Sequence, residues 1–501
     1  MTTPIVIIGG GINGLTAAAL LSKRGRKVLL LEARKTLGGL ASRSSFHDGF
    51  HVPGILHDTS RFRPVIEKAL NLEKFGVKRI QPPSLLAPQL DGALLSIERD
   101  AINGQVTEED RENFAAFRGF IDRISPTISK ICEQPAPNPE GSLFPLALKA
   151  LKLRLLGRRD MVEILRVGPM CAGDWMRDRF QSEALGAALA YDGIEGCFLG
   201  PWSAGTAFNL LISSCLRGLP VEGGPQALVE SLRAAAEDAG AEIRTDAPVS
   251  QIHLNDNGIC GVSLSNGDKL EADTVAATCD PKQLFLRLMD QSLLPTRLLH
   301  DVKHFRARGT SAKIHLALDG PLKTTSGEEV AHLRTGSTLD ALERAFDASK
   351  YHLFAENPVL DVTVPSMSNP SLCPEDKHVV SIMAHAVSYD LKGGWDDSSR
   401  TSLAEAVIST LEAHCPNLSS QIIAREVLTP QDLEQRFLLT GGHIHHGEHA
   451  LDQLLFMRPT AQCAQHKTPV KGLYLCGSGC HPGGGITGAP GWLGAQQILK
   501  G

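Results

Sequence analysis

Three glycines near the start of the chain, Gly9, Gly11 and Gly14, stand in the pattern G-x-G-x-x-G, and an acid, Glu32, follows 18 residues beyond the third. Glycines so spaced let the backbone turn tightly against a pyrophosphate at the positive end of a helix, and an acid at that distance accepts a ribose hydroxyl. The chemistry implied is the holding of a dinucleotide. Near the other end, "GSGCHPGGGITGAPG" (477–491) places seven glycines in fifteen residues. Ordering glycine costs conformational entropy, so the run signals backbone that must approach something closely. A third cluster, "GGHIHHGEH", carries His443, His445, His446 and His449. Imidazoles suit proton transfer or orientation through hydrogen bonds. No metal is expected here, because the loop lacks a helical i, i+4 frame.

The elements that must position these residues are legible around them. "PIVII" is a β-branched strand, "LTAAALL" a helix closed by Gly25, and "KVLLLE" a second strand ending at Glu32. Strand, glycine turn, helix and strand form the unit that makes G-x-G-x-x-G specific. A further pair, Gly38 and Gly39, follows the acid. This extended fingerprint resembles that of the glutathione-reductase-like FAD-binding superfamily, although Leu40 stands where an arginine is usual. The resemblance implies FAD as cofactor. Redox disulfide chemistry is set aside, since no cysteine precedes Cys132.

Downstream, "NDNG" and "SNGD" break 250–278 into a small β-meander. In the superfamily this block belongs to the FAD domain, with the backbone at Val249 facing the adenine. "KGLYLCGSG" predicts a strand running into the glycine loop, and "GAPGWLGAQQIL" a helix after it. If that strand joins the N-terminal sheet, Gly477 and Ser478 approach the ribityl phosphate. The amides of Gly485, Ile486 and Thr487 then face the flavin pyrimidine oxygen, with glycines where side chains would collide with the isoalloxazine. The fold expected is α/β: a glutathione-reductase-like FAD-binding Rossmann domain with a β-meander, plus an inserted mixed α+β substrate domain. The FAD domain is expected to be discontinuous (1–85, 220–285 and 441–501), with 86–219 and 286–440 forming the substrate domain.

Composition fits an ordinary globular enzyme: 501 residues, 42% hydrophobic and 21% charged. A net charge of −5 argues against a nucleic-acid partner. No apolar run reaches the ~20 residues of a membrane span. Strand-like sequence from Pro4 leaves no room for a signal peptide, and the eleven scattered cysteines suit a reduced compartment, so a cytoplasmic location is expected. The basic stretch "LALKALKLRLLGRRD" (146–160) splits its charges poorly on a helical wheel and reads as a solvated helix; peripheral membrane contact stays open.

"LYLCGSGCHPGGGITG" and the upstream "TPQDLEQRFLLTGGHIHHGEHALDQLLFMRP" together are similar to motifs of the phytoene desaturase family of FAD-dependent enzymes. The resemblance implies an FAD-dependent dehydrogenase or desaturase that transfers a hydride from an apolar small molecule to flavin N5. His446 matches a usual histidine of that family and is expected to line the substrate face as base or orienting group. His481 is a second candidate, with a structural hydrogen bond at least as plausible. Two alternatives remain: an amine-oxidase-like enzyme, disfavoured by only four Trp and four Tyr, and a flavin-binding protein with a regulatory role.

Overall fold

The computed structural model describes residues 3–138, 151 and 154–501. The β-branched run Ile5–Ile8 is buried on both faces, as a central parallel strand must be. It anchors a five-stranded parallel sheet in the order 473–475, 275–277, 5–8, 28–31, 242–244. Alternation sends Ile5 and Ile7 to one face and Val6 and Ile8 to the other. The first face is covered by the helices Ile12–Lys23, Gly224–Asp238 and Ala489–Lys500. On the second face lies the three-stranded meander Val249–Asn255, Gly258–Leu264 and Lys269–Glu271. The strand expected before the C-terminal glycines, Leu473–Leu475, does join this sheet, pairing in parallel with Val275–Ala277.

A second, eight-stranded mixed sheet runs 422–428, 311–318, 378–385, 360–363, 332–334, 85–88, 94–97, 102–103. One face is wholly apolar, with Ile314, Leu316, Val380 and Ile382 packed under the helix Asp397–Glu412. The opposite face is buried too, yet it carries Lys313, His315, Ser381 and His385. Helices Glu108–Cys132, Arg158–Val167, Ala172–Arg177, Glu183–Ile194 and Thr206–Leu216 form a separate bundle around Trp175 and Phe117. Of the basic stretch 146–160, residues 146–150, 152 and 153 lie outside the described residues. Among the described residues no helix is long and apolar enough to cross a membrane.

Candidate flavin site and substrate cavity

The first glycine turn is built as its spacing demands. Gly9 has φ +100°, and a Cβ on Gly14 would intrude on the Gly9 carbonyl. Gly11 differs: its φ of −72° suits any residue, and the nearest atom to an added Cβ is the Gly39 Cα at 3.8 Å. Protein packing therefore does not require glycine there. The helix behind it starts without a side-chain cap or an acid in its first turn, leaving its positive end to an anion. Gly38 donates its amide to the Gly10 carbonyl at 2.8 Å and bridges Gly11, so the Gly38–Gly39 pair stacks on the turn. The buried carboxylate of Glu32 accepts the amides of Gly10 (2.6 Å) and Arg34 (2.9 Å), which fixes it at the mouth of the turn. Val249 opens its strand two residues after Ala247, whose amide donates to the Glu32 carbonyl at 2.9 Å.

The C-terminal loop meets this turn. Asn13, in the first helix, donates to Ser478 Oγ at 3.1 Å. Most glycines of the loop serve protein packing, contrary to the expectation that they avoid an isoalloxazine. A Cβ on Gly477 would strike the Thr278 carbonyl, on Gly488 the Phe62 ring, and on Gly491 the Asn13 carbonyl. Gly485 is the exception, with open space around it and φ +88°. Among the described residues, the amides of Gly485 and Ile486 donate to no protein acceptor, while that of Thr487 donates to the Gly485 carbonyl at 3.0 Å. Two unspent amides suit an oxygen that gains negative charge, whereas the first amides of the helix behind them are taken, Ala489 donating to Thr487 Oγ1 (3.3 Å) and Gly491 to Asn13 Oδ1 (3.4 Å). The chain thus offers FAD a cradle at each end of its length, and the donor set fits the cofactor.

A cavity of ≈ 70 Å³ lies against this loop, lined by His481, Pro482, Gly484 and Thr487 on one side. Phe208, Ile212 and Leu216 of one helix form an apolar wall, and Arg61, Asp192 and Glu195 a polar end. His445 and His449 line it as well, stacked 4.6 Å apart, whereas His446 is not among the lining residues. The expectation that His446 lines a substrate face is not met at this cavity. Its backbone is left-handed (φ 57°), which turns the ring out of the row toward Asp280. His445 donates Nε2–H to the Glu195 carbonyl (3.3 Å), and His449 Nε2 accepts the Gly484 amide (3.1 Å). Burial pushes His445 down to about 3 and His449 well below the usual histidine value, so both rings are neutral. His481 also lines the cavity and meets the Ile131 carbonyl at 3.3 Å, a structural bond. Among the described residues no three His, Cys, Asp or Glu side chains are grouped to hold a metal ion.

Two residues went unseen in the sequence. Arg458, fully buried, donates to the carbonyls of His445 (2.8 Å), Gly447 (3.1 Å), Glu448 (2.9 Å) and Ser478 (2.9 Å), stapling the histidine loop to the glycine loop. Nothing in "FMRP" announces this. Lys313 lies on the polar face of the eight-stranded sheet, 3% exposed, and among the described residues it makes no hydrogen bond or ion pair. Burial pushes its pKa down to about 8, against the pull of Asp361 and Glu195. The alternation Ser311-x-Lys313-x-His315 in an otherwise apolar strand was the available signal.

The model of a family described as flavin containing amine oxidoreductase matches residues 169–499, and that of an NAD(P)-binding Rossmann-like domain matches residues 7–63. The chain is 32% identical to pyridine nucleotide-disulfide oxidoreductase domain-containing protein 2 of Mus musculus, covering 99% of this chain and 93% of that one. It is 25% identical to a phytoene desaturase of Neurospora crassa, covering 99% and 84%. Among solved structures, putrescine oxidase bound to putrescine superposes with a TM-score of 0.64 at 16% identity, covering 100% of this chain and 98% of that one, which shows a shared fold. Glycine cradles at both ends of the chain and full-length likeness to these relatives agree: the chain belongs to the flavin containing amine oxidoreductase family, as an FAD-dependent oxidoreductase of the phytoene desaturase type.

Proposed function

We propose that the protein removes hydrogen from a C–C or C–X bond of a small molecule with a largely apolar body. The observation carrying this reading is the cavity between the C-terminal glycine loop and the apolar wall of Phe208, Ile212 and Leu216. The desaturase name of one relative supports the same choice. Bound FAD would supply the two-electron acceptor. Gly9, Gly11, Gly14, Glu32, Gly38, Gly39 and Val249 would hold its nucleotide end, Gly477 and Ser478 the middle, and Gly485, Ile486 and Thr487 the pyrimidine edge. Neutral His445 and His449 would orient the substrate and exclude water. In this reading 1–85, 220–285 and 441–501 form the cofactor domain, and 86–219 and 286–440 the substrate domain. The protein would work in the cytoplasm, touching a membrane surface only to collect a lipid substrate.

The amine-oxidase alternative draws on the family description and on putrescine oxidase. Against it, the cavity presents Phe208 and no Trp or Tyr among its described lining, where an amine would be held between aromatic rings. The deciding experiment is the visible spectrum of the purified protein under anaerobic conditions, with NADPH, with amines and with apolar C–H donors. A yellow protein that ignores NADPH and amines and bleaches with apolar donors is expected. Bleaching by NADPH would make it a nicotinamide-driven reductase and overturn the reading, and bleaching by amines alone would select the alternative.

A further inference from the structure

The polar end of the cavity is more than a lining. Arg61 carries five N–H donors, yet its one hydrogen bond among the described residues goes to Glu195, and that bond is long at 3.4 Å. Its Nε is buried without a hydrogen-bond partner. Asp58 and Asp192 stand at 3.4 and 3.9 Å as ion-pair neighbours. Asp192 is already committed elsewhere, accepting from Arg334 at 2.9 Å and Arg217 at 3.1 Å. Arg334 in turn grips Asp361 at 2.7 Å and lies 4.6 Å over the Tyr191 ring. Asp192 and Arg334 are thus saturated, whereas Arg61, which lines the cavity, has three carboxylates around it and a single long hydrogen bond among the described residues. Desolvating its guanidinium against a hydrocarbon would leave buried N–H groups unpaired, which is costly.

We infer that the cavity recognises a molecule with an apolar body ended by a carboxylate, whose two oxygens take the guanidinium of Arg61 in place of Glu195. This rests on the reading given under Proposed function and narrows its substrate class. A planar guanidinium matches a carboxylate in bidentate geometry. Glu195 can yield the position because burial drives its carboxyl toward the neutral form. A cationic headgroup fits poorly. It would face Arg61 itself, with Asp192 already spent and the two stacked histidines offering no negative charge. Beyond the head, the apolar wall of Phe208, Ile212 and Leu216 covers the body, and the glycine loop at Gly484 sets its far side.

The test is an anaerobic titration of the flavin-loaded protein with decanoate, decylamine and decanol, read as the shift of the flavin absorption bands. Decanoate is expected to bind at least ~30-fold more tightly than the other two, and Arg61→Gln to abolish that preference, in line with the cost of truncating one partner of a buried charge pair. Glu195→Gln, which removes the competing carboxylate, is expected to tighten decanoate by about tenfold, roughly the value of one charge-assisted bond. Should Arg61→Gln lose its flavin, the Glu195→Gln arm decides: unchanged or weaker decanoate binding overturns the inference. So does equal affinity for decanol, or decylamine binding that Glu195→Gln abolishes. The two readings fail separately. Flavin reduced by a non-ionic apolar donor without any dependence on Arg61 removes the carboxylate site and keeps the dehydrogenase. Decanoate binding through Arg61 with a flavin that no C–H donor reduces does the reverse.

Discussion

The amine of Lys313 is held in the protein without a hydrogen bond or ion pair among the described residues, and its pKa falls from 10.5 to about 8. The unfolded chain keeps the proton up to the ordinary value while the folded chain releases it near 8, so stability rises with pH across that window and the whole penalty stands below it. At about 1.4 kcal/mol per unit, the cost at neutral pH is of the order of 3 kcal/mol. Lys313→Met should therefore raise the melting temperature at pH 7 by relieving that penalty, and a melting temperature that stays put or falls in the variant would contradict the burial of an unpaired amine. The residue was within reach of the sequence, since a charge amid alternating apolar positions is a local signal. Arg458 was not, because its value comes from carbonyls on loops that only the fold brings together. His446 was read from the motif alone, and the left-handed backbone that sets it apart from the cavity-lining His445 and His449 has no signal in the sequence.

At the scale of the element, the N-terminal strand–turn–helix unit was fully legible, because glycine spacing states a backbone geometry directly. The structure adds a distinction between glycines that the motif treats alike. Gly14 is required by the protein itself, while Gly11 has ordinary backbone and free space. Gly14→Ala is expected to cripple folding, seen as insoluble or unfolded protein by circular dichroism. Gly11→Ala should fold with a melting temperature within a few degrees of the wild type's apoprotein, yet bind FAD at least ~10-fold more weakly by fluorescence titration. Equal FAD affinity in Gly11→Ala would mean that no ligand backbone approaches that turn. The C-terminal run was read correctly as backbone in close approach, although its partner is mostly protein. A glycine seen in sequence does not say which neighbour crowds it, and here Thr278, Phe62 and Asn13 account for three.

For the molecule as a whole, buried histidines set the acid limit. Burial pushes His57 and His445 to about 3 and His385 and His466 to about 4. Between those values and about 6.5 the unfolded chain binds protons that the folded chain refuses, so these rings cost nothing above pH 6.5 and stability falls as pH drops below it. Asp192 and Asp361, held well below the usual carboxylate range against burial by their arginines, add a further loss below about pH 4. Thermal melts should show a steep fall between pH 6.5 and 5, and a flat profile over that interval would contradict the burial of these rings. One more consequence follows from the packing of the last helix on the first, where Leu15 shares a core with Leu493 and Ile498. At about 5–20 residues per second, a ribosome spends tens of seconds between making Gly14 and making Leu473. Throughout that interval the nascent chain lacks the cover that the last helix gives the first, and the strand Leu473–Leu475 at the edge of the sheet. The sheet and its helical cover are therefore complete only once the last strand and helix have been made.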